Sequence, residues 1–365
     1  MKLFTFFVEK LTKKKQIIKK CTILEKKTRF RIIQLDNGKK IKTHPEFIKR
    51  RTHIFPSVIF SEFETTPHIF HFKNRVLAAR NPEILNEIEK TLIPEKRPYV
   101  FQSYTRELID SINSNGRVLL VGHKGTGKTS IVEQIAARIS QPVLRVNFNG
   151  NTTISDFLGH VGVASGKTYW VDGVLPKAMR EGYWLITDEI DFADPAILSI
   201  LHPVLENHGY LVLKENAGEI IKPHQNFRIF GTANSIGGDS YAYSGTQKMN
   251  DAFLDRWDST FRIDYLPEKL ERKVVRLHAP CLSETHIRKI VQSANSMRTN
   301  KNGVSLEAFS TRNCIAWAQK MQIYNNPLFC ANLVFLQSLD IETRKAVELL
   351  IKTIWSDKDI KRNPR

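Results

Sequence analysis

Four cysteines in 365 residues (Cys21, Cys281, Cys314 and Cys330) are too few and too scattered for a disulfide framework, and no C-x-x-C pair or histidine cluster offers a structural zinc site. The His68-x-x-His71 pair has no carboxylate or cysteine set around it. A reducing, cytoplasmic setting is the expectation. Long apolar runs are missing too: none approaches the roughly 18 residues of a membrane-spanning helix, and the opening Met-Lys-Leu-Phe-Thr-Phe-Phe-Val is broken by Glu9. Neither secretion nor membrane insertion is expected. Repeats are absent, and the only low-complexity feature is a set of early lysines. What remains is a composition of globular type, 41% hydrophobic and 25% charged, in a chain long enough for a substantial core.

Negative charge is scarce at one end. Residues 1–60 carry 17 basic and 4 acidic side chains, so +13 of the net +18 sits there. The runs Lys13-Lys14-Lys15, Lys19-Lys20, Lys26-Lys27, Lys39-Lys40 and Lys49-Arg50-Arg51 suit a solvated face, an acidic protein surface, nucleic acid or anionic lipid, and charge alone does not choose. Phe30–Leu35 and Lys39–Lys42 are strand-like runs on either side of Asp36-Asn37-Gly38, a turn signal, so a small β-containing module is expected over 1–60. Residues 61–100, punctuated by prolines, read as a connector in which Asn81-Pro-Glu83 opens a helix through Lys90.

The chemistry begins at Arg117-Val-Leu-Leu-Val121, an apolar run suited to a buried parallel strand. It leads directly into Gly122-His123-Lys124-Gly125-Thr126-Gly127-Lys128-Thr129, with Ser130 next. Ile131, Val132, Ile135, Ala136 and Ile139 then follow at helical spacing, giving G-x-x-x-x-G-K-[ST] its strand, loop and helix. Glycines let backbone N–H groups converge on phosphates, Lys128 reaches the β and γ oxygens, and the Thr129 hydroxyl suits Mg²⁺. The segment Gly122–Ser130 is therefore the expected ATP site.

A second run, Tyr183–Thr187, ends in Asp188-Glu189. Asp188 is placed to hold the Mg²⁺ shell and Glu189 to polarise the attacking water. A third, Phe227–Ala233, ends at Asn234, whose amide suits water orientation or γ-phosphate sensing. Arg256, before the strand-like Thr260–Tyr265, is a candidate stabiliser of transition-state charge. Cys314, Trp317, Ala318 and Met321, and later Val347, Leu350, Ile351 and Ile354, form helical stripes that read as core.

From about Ser103 to Trp355 these motifs resemble the MoxR-like branch of AAA+ ATPases, and within it the CobS ATPase subunits of aerobic cobaltochelatase. The match takes in Val132–Arg138, Asp172-Gly-Val-Leu-Pro176, Asp188-Glu-Ile-Asp191, Thr232–Gly237, Gly245–Asn250, Asp255-Arg-Trp257, Phe309–Ala318 and Phe335–Asp340. The resemblance implies a P-loop AAA+ parallel sheet with helices on both faces over 101–265, followed by a small helical lid over 266–365. It further implies that Asn234 is sensor 1, that Arg256 is an arginine finger given to an adjacent subunit, and that Arg312 is sensor 2 on a lid helix. A ring, commonly a hexamer, is implied, together with a von Willebrand A-type partner and a larger substrate or chelatase subunit.

In this branch, hairpins near Gly166–Val174 and Tyr210–Pro223 contact partners. Lys167–Val171 before Asp172-Gly173, and Tyr210–Lys214 paired across Glu215–Gly218 with Glu219–Lys222, supply suitable sequence. Adenine contacts are expected near Tyr99–Phe101. Residues 1 to about 95 lie outside the resemblance, and two function classes follow. One is a motor that remodels a partner protein; the other is a nucleic-acid-directed ATPase anchored by the basic module.

Overall fold

The computed structural model describes residues 5–12, 15–26, 31–35, 40–43, 69–149, 152–235, 249–299, 306 and 309–360. It divides into two compact units, Met1–Ala78 and Ala79–Arg365. In the first, β1 (Thr5–Thr12), β2 (Lys15–Lys26), β3 (Arg31–Leu35) and β4 (Lys40–Thr43) form an antiparallel meander in that order. Arg31 pairs with Thr43 and Gln34 with Lys40, the hairpin anticipated around Asp36-Asn37-Gly38, though the turn itself and part or all of each basic run except Lys19-Lys20 lie outside the described residues. A second hairpin joins β5 (Ile69–Phe72) to β6 (Arg75–Ala78).

The helix anticipated from Asn81 to Lys90 is two pieces. Pro82–Ile84 makes one 3-10 turn and Leu85 is extended at ψ 137°. Asn86 then starts α1 (Glu87–Thr91) with a capping box, its side chain accepting from Glu89 N–H at 2.8 Å while Glu89 accepts from Asn86 N–H at 3.0 Å. A second cap five residues after the first is a stronger local signal than continued helical propensity.

The second unit is built on a five-stranded parallel sheet ordered β15-β7-β14-β11-β8: Ser259–Arg262, Val118–Val121, Arg228–Ala233, Trp184–Asp188 and Val143–Asn147. β7, β11 and most of β14 are buried, as their near-continuous apolar composition requires of inner parallel strands. Side chains alternate across the sheet. Leu119, Val121 and Leu185 enter one core with Leu175, Met179 and Leu201, which come from α5 (Val174–Glu181) and α6 (Pro195–Val204). Asp188 is in hydrogen-bond contact with α3 (Lys128–Arg138), and that helix buries Ile131, Val132, Ile135 and Ala136. Around this frame lie α2 (Thr105–Asn113), α4 (Ile154–Leu158) and α7 (Asp251–Leu254).

Two hairpins project from this unit. β9 (Gly159–Ala164) pairs with β10 (Lys167–Asp172), and β12 (Leu211–Leu213) pairs with β13 (Glu219–Ile221). The first differs from the expectation in one respect: Lys167–Val171 is the returning strand. Ser165 and Gly166 make the turn with φ of 52° and 74°, the positive pair that matches the twist of a two-residue hairpin. Asp172-Gly173 instead leads into α5, with Gly173 as its N-cap.

Beyond the sheet come α8 (Glu268–His278), α9 (Glu284–Arg298), α10 (Thr311–Tyr324), α11 (Pro327–Val334), α12 (Ile341–Ile354) and α13 (Asp357–Ile360). Ser283, Ser310, Asn326 and Asp340 cap the N-termini of α9 to α12. The anticipated stripes are the core of this lid. Trp317 is fully buried, gives its Nε1–H to Pro327 O at 3.0 Å, and packs beside Phe335 and Trp355. Buried within the same bundle, Glu271 receives both terminal nitrogens of Arg298 at 2.8 Å and the Thr311 hydroxyl at 2.7 Å.

Removing one member of a buried, bidentate pair strands the other charge, which costs about 3–5 kcal/mol. Glu271→Ala is therefore expected to lower lid stability by about that amount in urea unfolding followed by tryptophan fluorescence. Glu87→Ala, which breaks an exposed pair with Lys90, should cost less than about 1 kcal/mol.

Candidate functional site

The phosphate-loop segment turns sharply out of β7 and into α3. Gly125 and Gly127 take φ of 76° and 96°, and Gly127 is the helix N-cap with no side chain capping the first turn. A helix N-terminus without a side-chain cap, approached through glycines, presents backbone N–H groups to an anion. Space for side chains is closed off around the loop. A Cβ on Gly122 would lie 2.0 Å from Ile263 O, and one on Gly125 would lie 2.4 Å from Ser310 Cβ.

Lys128 lies across this loop with its Nζ donating to Gly122 O at 2.6 Å, His123 O at 3.1 Å and Asn234 Oδ1 at 3.1 Å. Burial pushes its ammonium down to about 8 from the ordinary 10.5. Asp191, Asp188 and Glu189 pull the other way, and Arg312 adds to the lowering. Four of the anticipated site residues thus act on Lys128 electrically or by hydrogen bond: Asp188, Glu189, Asn234 and Arg312. Arg256 is not among them. It stands at the end of α7, where its Nε donates to Glu206 at 2.8 Å and a terminal nitrogen donates to Ala252 O.

Asp188, 2% exposed at the end of β11, is held from three sides. Its Oδ1 accepts from the Thr129 hydroxyl at 2.8 Å and the Thr232 hydroxyl at 2.7 Å. Arg145 on β8 pairs with Oδ2 and lies 3.6 Å from Glu133. The register explains the meeting: Arg145 is opposite Ile186, two residues before Asp188, so all three share one sheet face. Oδ2 has no hydrogen-bond partner of good geometry among the described residues. A buried carboxylate with one oxygen short of hydrogen bonds, beside a threonine hydroxyl, is the hard oxygen donor set that Mg²⁺ takes while retaining several waters.

Glu189 follows in a left-handed conformation, φ 56° and ψ 44°, unusual for a residue with a Cβ and a feature that concentrates at functional turns. Its N–H donates to Thr232 Oγ1 at 3.2 Å, so one hydroxyl links both acids. Asp191, 1% exposed, accepts from Asn234 N–H at 3.0 Å and Ser235 N–H at 3.2 Å, and burial raises its carboxyl above the usual range despite those bonds.

Thr232, Asp191 and Arg145 were not singled out from the sequence. Thr232 and Asp191 sit inside the quoted motifs, and Arg145 is found only through strand register. Residues 236–248, which carry most of the Gly245–Asn250 signature, lie outside the described residues. Tyr99, expected near adenine, places its hydroxyl 3.4 Å from where a Gly127 Cβ would be.

Comparison with known proteins fixes the class. Residues 117–257 match the model of the AAA domain, dynein-related subfamily. The chain is 33% identical over 262 residues to the aerobic cobaltochelatase subunit CobS of Sinorhizobium sp, covering 68% of this chain and 78% of that protein. It is 28% identical over 210 residues to midasin of Dictyostelium discoideum, of which the match spans 3%. The chain belongs to the AAA+ ATPase family, in the MoxR-like branch that includes CobS. Its sheet order and appended lid are those of a P-loop AAA+ fold. Among solved structures, the RuvB Holliday junction branch migration motor of Thermotoga maritima aligns at TM-score 0.41 and 13% identity, over 72% of each chain. That likeness is distant, and the membership rests on the sequence matches.

The Lys128 environment yields a pH dependence. Its folded-state pKa lies below the ordinary value, so burying the ammonium costs stability below pH 8, a cost that fades between about 8 and 10.5. Anion binding runs the opposite way, because it needs the protonated form. Affinity for ATP measured in EDTA by fluorescence titration is expected to fall as pH rises through about 8. Lys128→Arg, which keeps its charge throughout, should show a flat profile over that range.

Proposed function

We propose that this chain is the ATP-hydrolysing motor subunit of a ring that remodels a partner protein, in a complex of the chelatase type. The observation that carries the reading is the convergence on Lys128 of Asn234, two acids at the end of β11 and a lid arginine. Family membership supplies nucleotide binding, and the residues present fit MgATP.

In this reading the loop Gly122–Thr129 cradles the β and γ phosphates, with Lys128 shifting its bonds from the Gly122 and His123 carbonyls to phosphate oxygens. Thr129 and Asp188 would hold Mg²⁺, which when bound neutralises charge on the β and γ oxygens. Glu189 accepts a proton from the attacking water, and Asn234 orients that water or the γ-phosphate. Arg312 reaches the same phosphates from the lid. Arg256, engaged with Glu206 away from its own subunit's cluster, is the residue we assign to the neighbouring site, so hydrolysis depends on assembly.

The CobS relationship supports a larger partner subunit and a von Willebrand A-type partner, and the β9–β10 and β12–β13 hairpins are the surfaces we assign to them. Val163, Tyr169 and Ile220 are exposed there. Among the described residues no helix is long and apolar enough to cross a membrane. The nucleic-acid-directed alternative is not favoured, since the sequence relatives named above are a chelatase subunit and midasin.

Glu189→Gln is expected to bind ATP normally and to lower turnover by about 10²–10⁴, the usual worth of a positioned base. Single-turnover phosphate release checks this, and wild-type turnover would remove Glu189 from the role. Arg256→Ala should retain ATP affinity and lose most hydrolysis. Mixing it with Glu189→Gln protein should restore part of the rate if each supplies what the other lacks across a subunit boundary, and a rate no higher than the sum of the two alone would rule that out.

A further inference from the structure

Among the described residues, the phosphate loop is met by Tyr265, just before the lid, and by Ser310 within it, and both are tied to the same buried ion pair. At the first point, the Tyr265 ring stacks on His123 with centroids 5.7 Å apart and planes 6° from parallel. The Arg298 guanidinium lies 4.0 Å from the centroid of the same Tyr265 ring. At the second, Ser310, the N-cap of α10, presses on Gly125 so closely that no Cβ would fit there.

Arg298 and Glu271 bracket Ser310. Arg298 Nε donates to Phe309 O at 2.6 Å, and Glu271 accepts the Thr311 hydroxyl at 2.7 Å. The two-point bond between Arg298 and Glu271 joins α8 to α9, and the Thr311 hydroxyl bonded to Glu271 ties the start of α10 to both. Arg312 is the next residue after Thr311. Such a guanidinium uses its edge for carboxylate and carbonyl and its face for the phenol ring, a combination lysine does not offer.

We infer that Tyr265 and Ser310 form a latch through which the conformation of the phosphate loop sets the position of Arg312, with Tyr265, Glu271 and Arg298 acting as positioning residues. The inference rests on the phosphate loop being the nucleotide site. A nucleotide that shifts His123 or Gly125 displaces the ring stacked on the one and the cap pressed against the other. The Glu271–Arg298 pair passes that displacement to the first turn of α10, along a contiguous chain of bonded groups.

The test uses the full chain and two measurements: binding of a fluorescent ATP analogue with Mg²⁺, and hydrogen exchange over residues 309–324 with and without ATP. In the wild type, ATP is expected to slow exchange in that segment. Tyr265→Leu, which keeps apolar bulk but loses both ring contacts, should bind the analogue with affinity close to wild type and lose the ATP-dependent slowing. Its kcat should fall by about tenfold at nearly constant KM, within the range seen for coupling residues. Tyr265→Phe should restore both behaviours.

Ser310→Gly, a mild change at an N-cap, removes the second contact and should also weaken the response. An ATP-dependent slowing in Tyr265→Leu equal to wild type overturns the latch while leaving nucleotide binding intact. Failure of the wild type to bind the analogue overturns the site reading, and the latch with it.

Discussion

The structure depends on giving one buried carboxylate its partners. Asp188 sits at the end of an inner strand where water is nearly excluded, and an unpaired anion there would cost several kcal/mol. Three elements supply its partners: the Thr129 hydroxyl from α3, the Thr232 hydroxyl from β14 and Arg145 from β8. Each arrives only if the sheet order and register are right. The parallel order that brings β14 and β8 to either side of β11 is therefore both the architecture of the domain and the solvation shell of its central acid. Thr232 extends the arrangement by accepting from the N–H of Glu189, whose backbone is left-handed.

Much of this was legible in the sequence because the motifs are local. A strand, a glycine loop and a helix follow one another within about thirty residues, and the acids and Asn234 fall at strand ends that apolar runs announce. Helical stripes in the lid were equally plain, since Trp317 and its neighbours repeat at helical spacing. What the sequence hid is what depends on pairing between distant segments. Arg145 meets Asp188 through strand register, Asp191 holds the backbone after β14, and Glu271 meets Arg298 across two helices. The reassigned hairpin belongs here too. Ser165-Gly166 was a weaker turn signal than Asp172-Gly173, but the helix starting at Val174 claims the latter as its cap.

Lid and sheet each have a core of their own. Their cores form separate clusters, one around Leu185 and Phe253, the other around Trp317. The contacts described where they meet are polar or aromatic: the Ser310 cap against Gly125 and, from Tyr265 just before the lid, a ring stacked on His123 and a hydroxyl 3.4 Å from Lys124 O. Two well-packed bodies meeting at a thin, specific seam are suited to small rotations about that seam, because neither core has to repack for the seam to change.

The glycines of the phosphate motif are usually explained by the ligand, yet in this chain two of them answer to the protein. A side chain at Gly122 would collide with the carbonyl of Ile263, where β15 leaves the sheet, and one at Gly125 would collide with the lid. The motif is thus also a record of tertiary contacts. A peptide carrying Gly122–Thr129 alone would lack both pressures, and its glycines would be free to take side chains that the folded protein forbids. The spacing between them encodes where a neighbouring strand and a neighbouring domain pass overhead, as well as where phosphate sits.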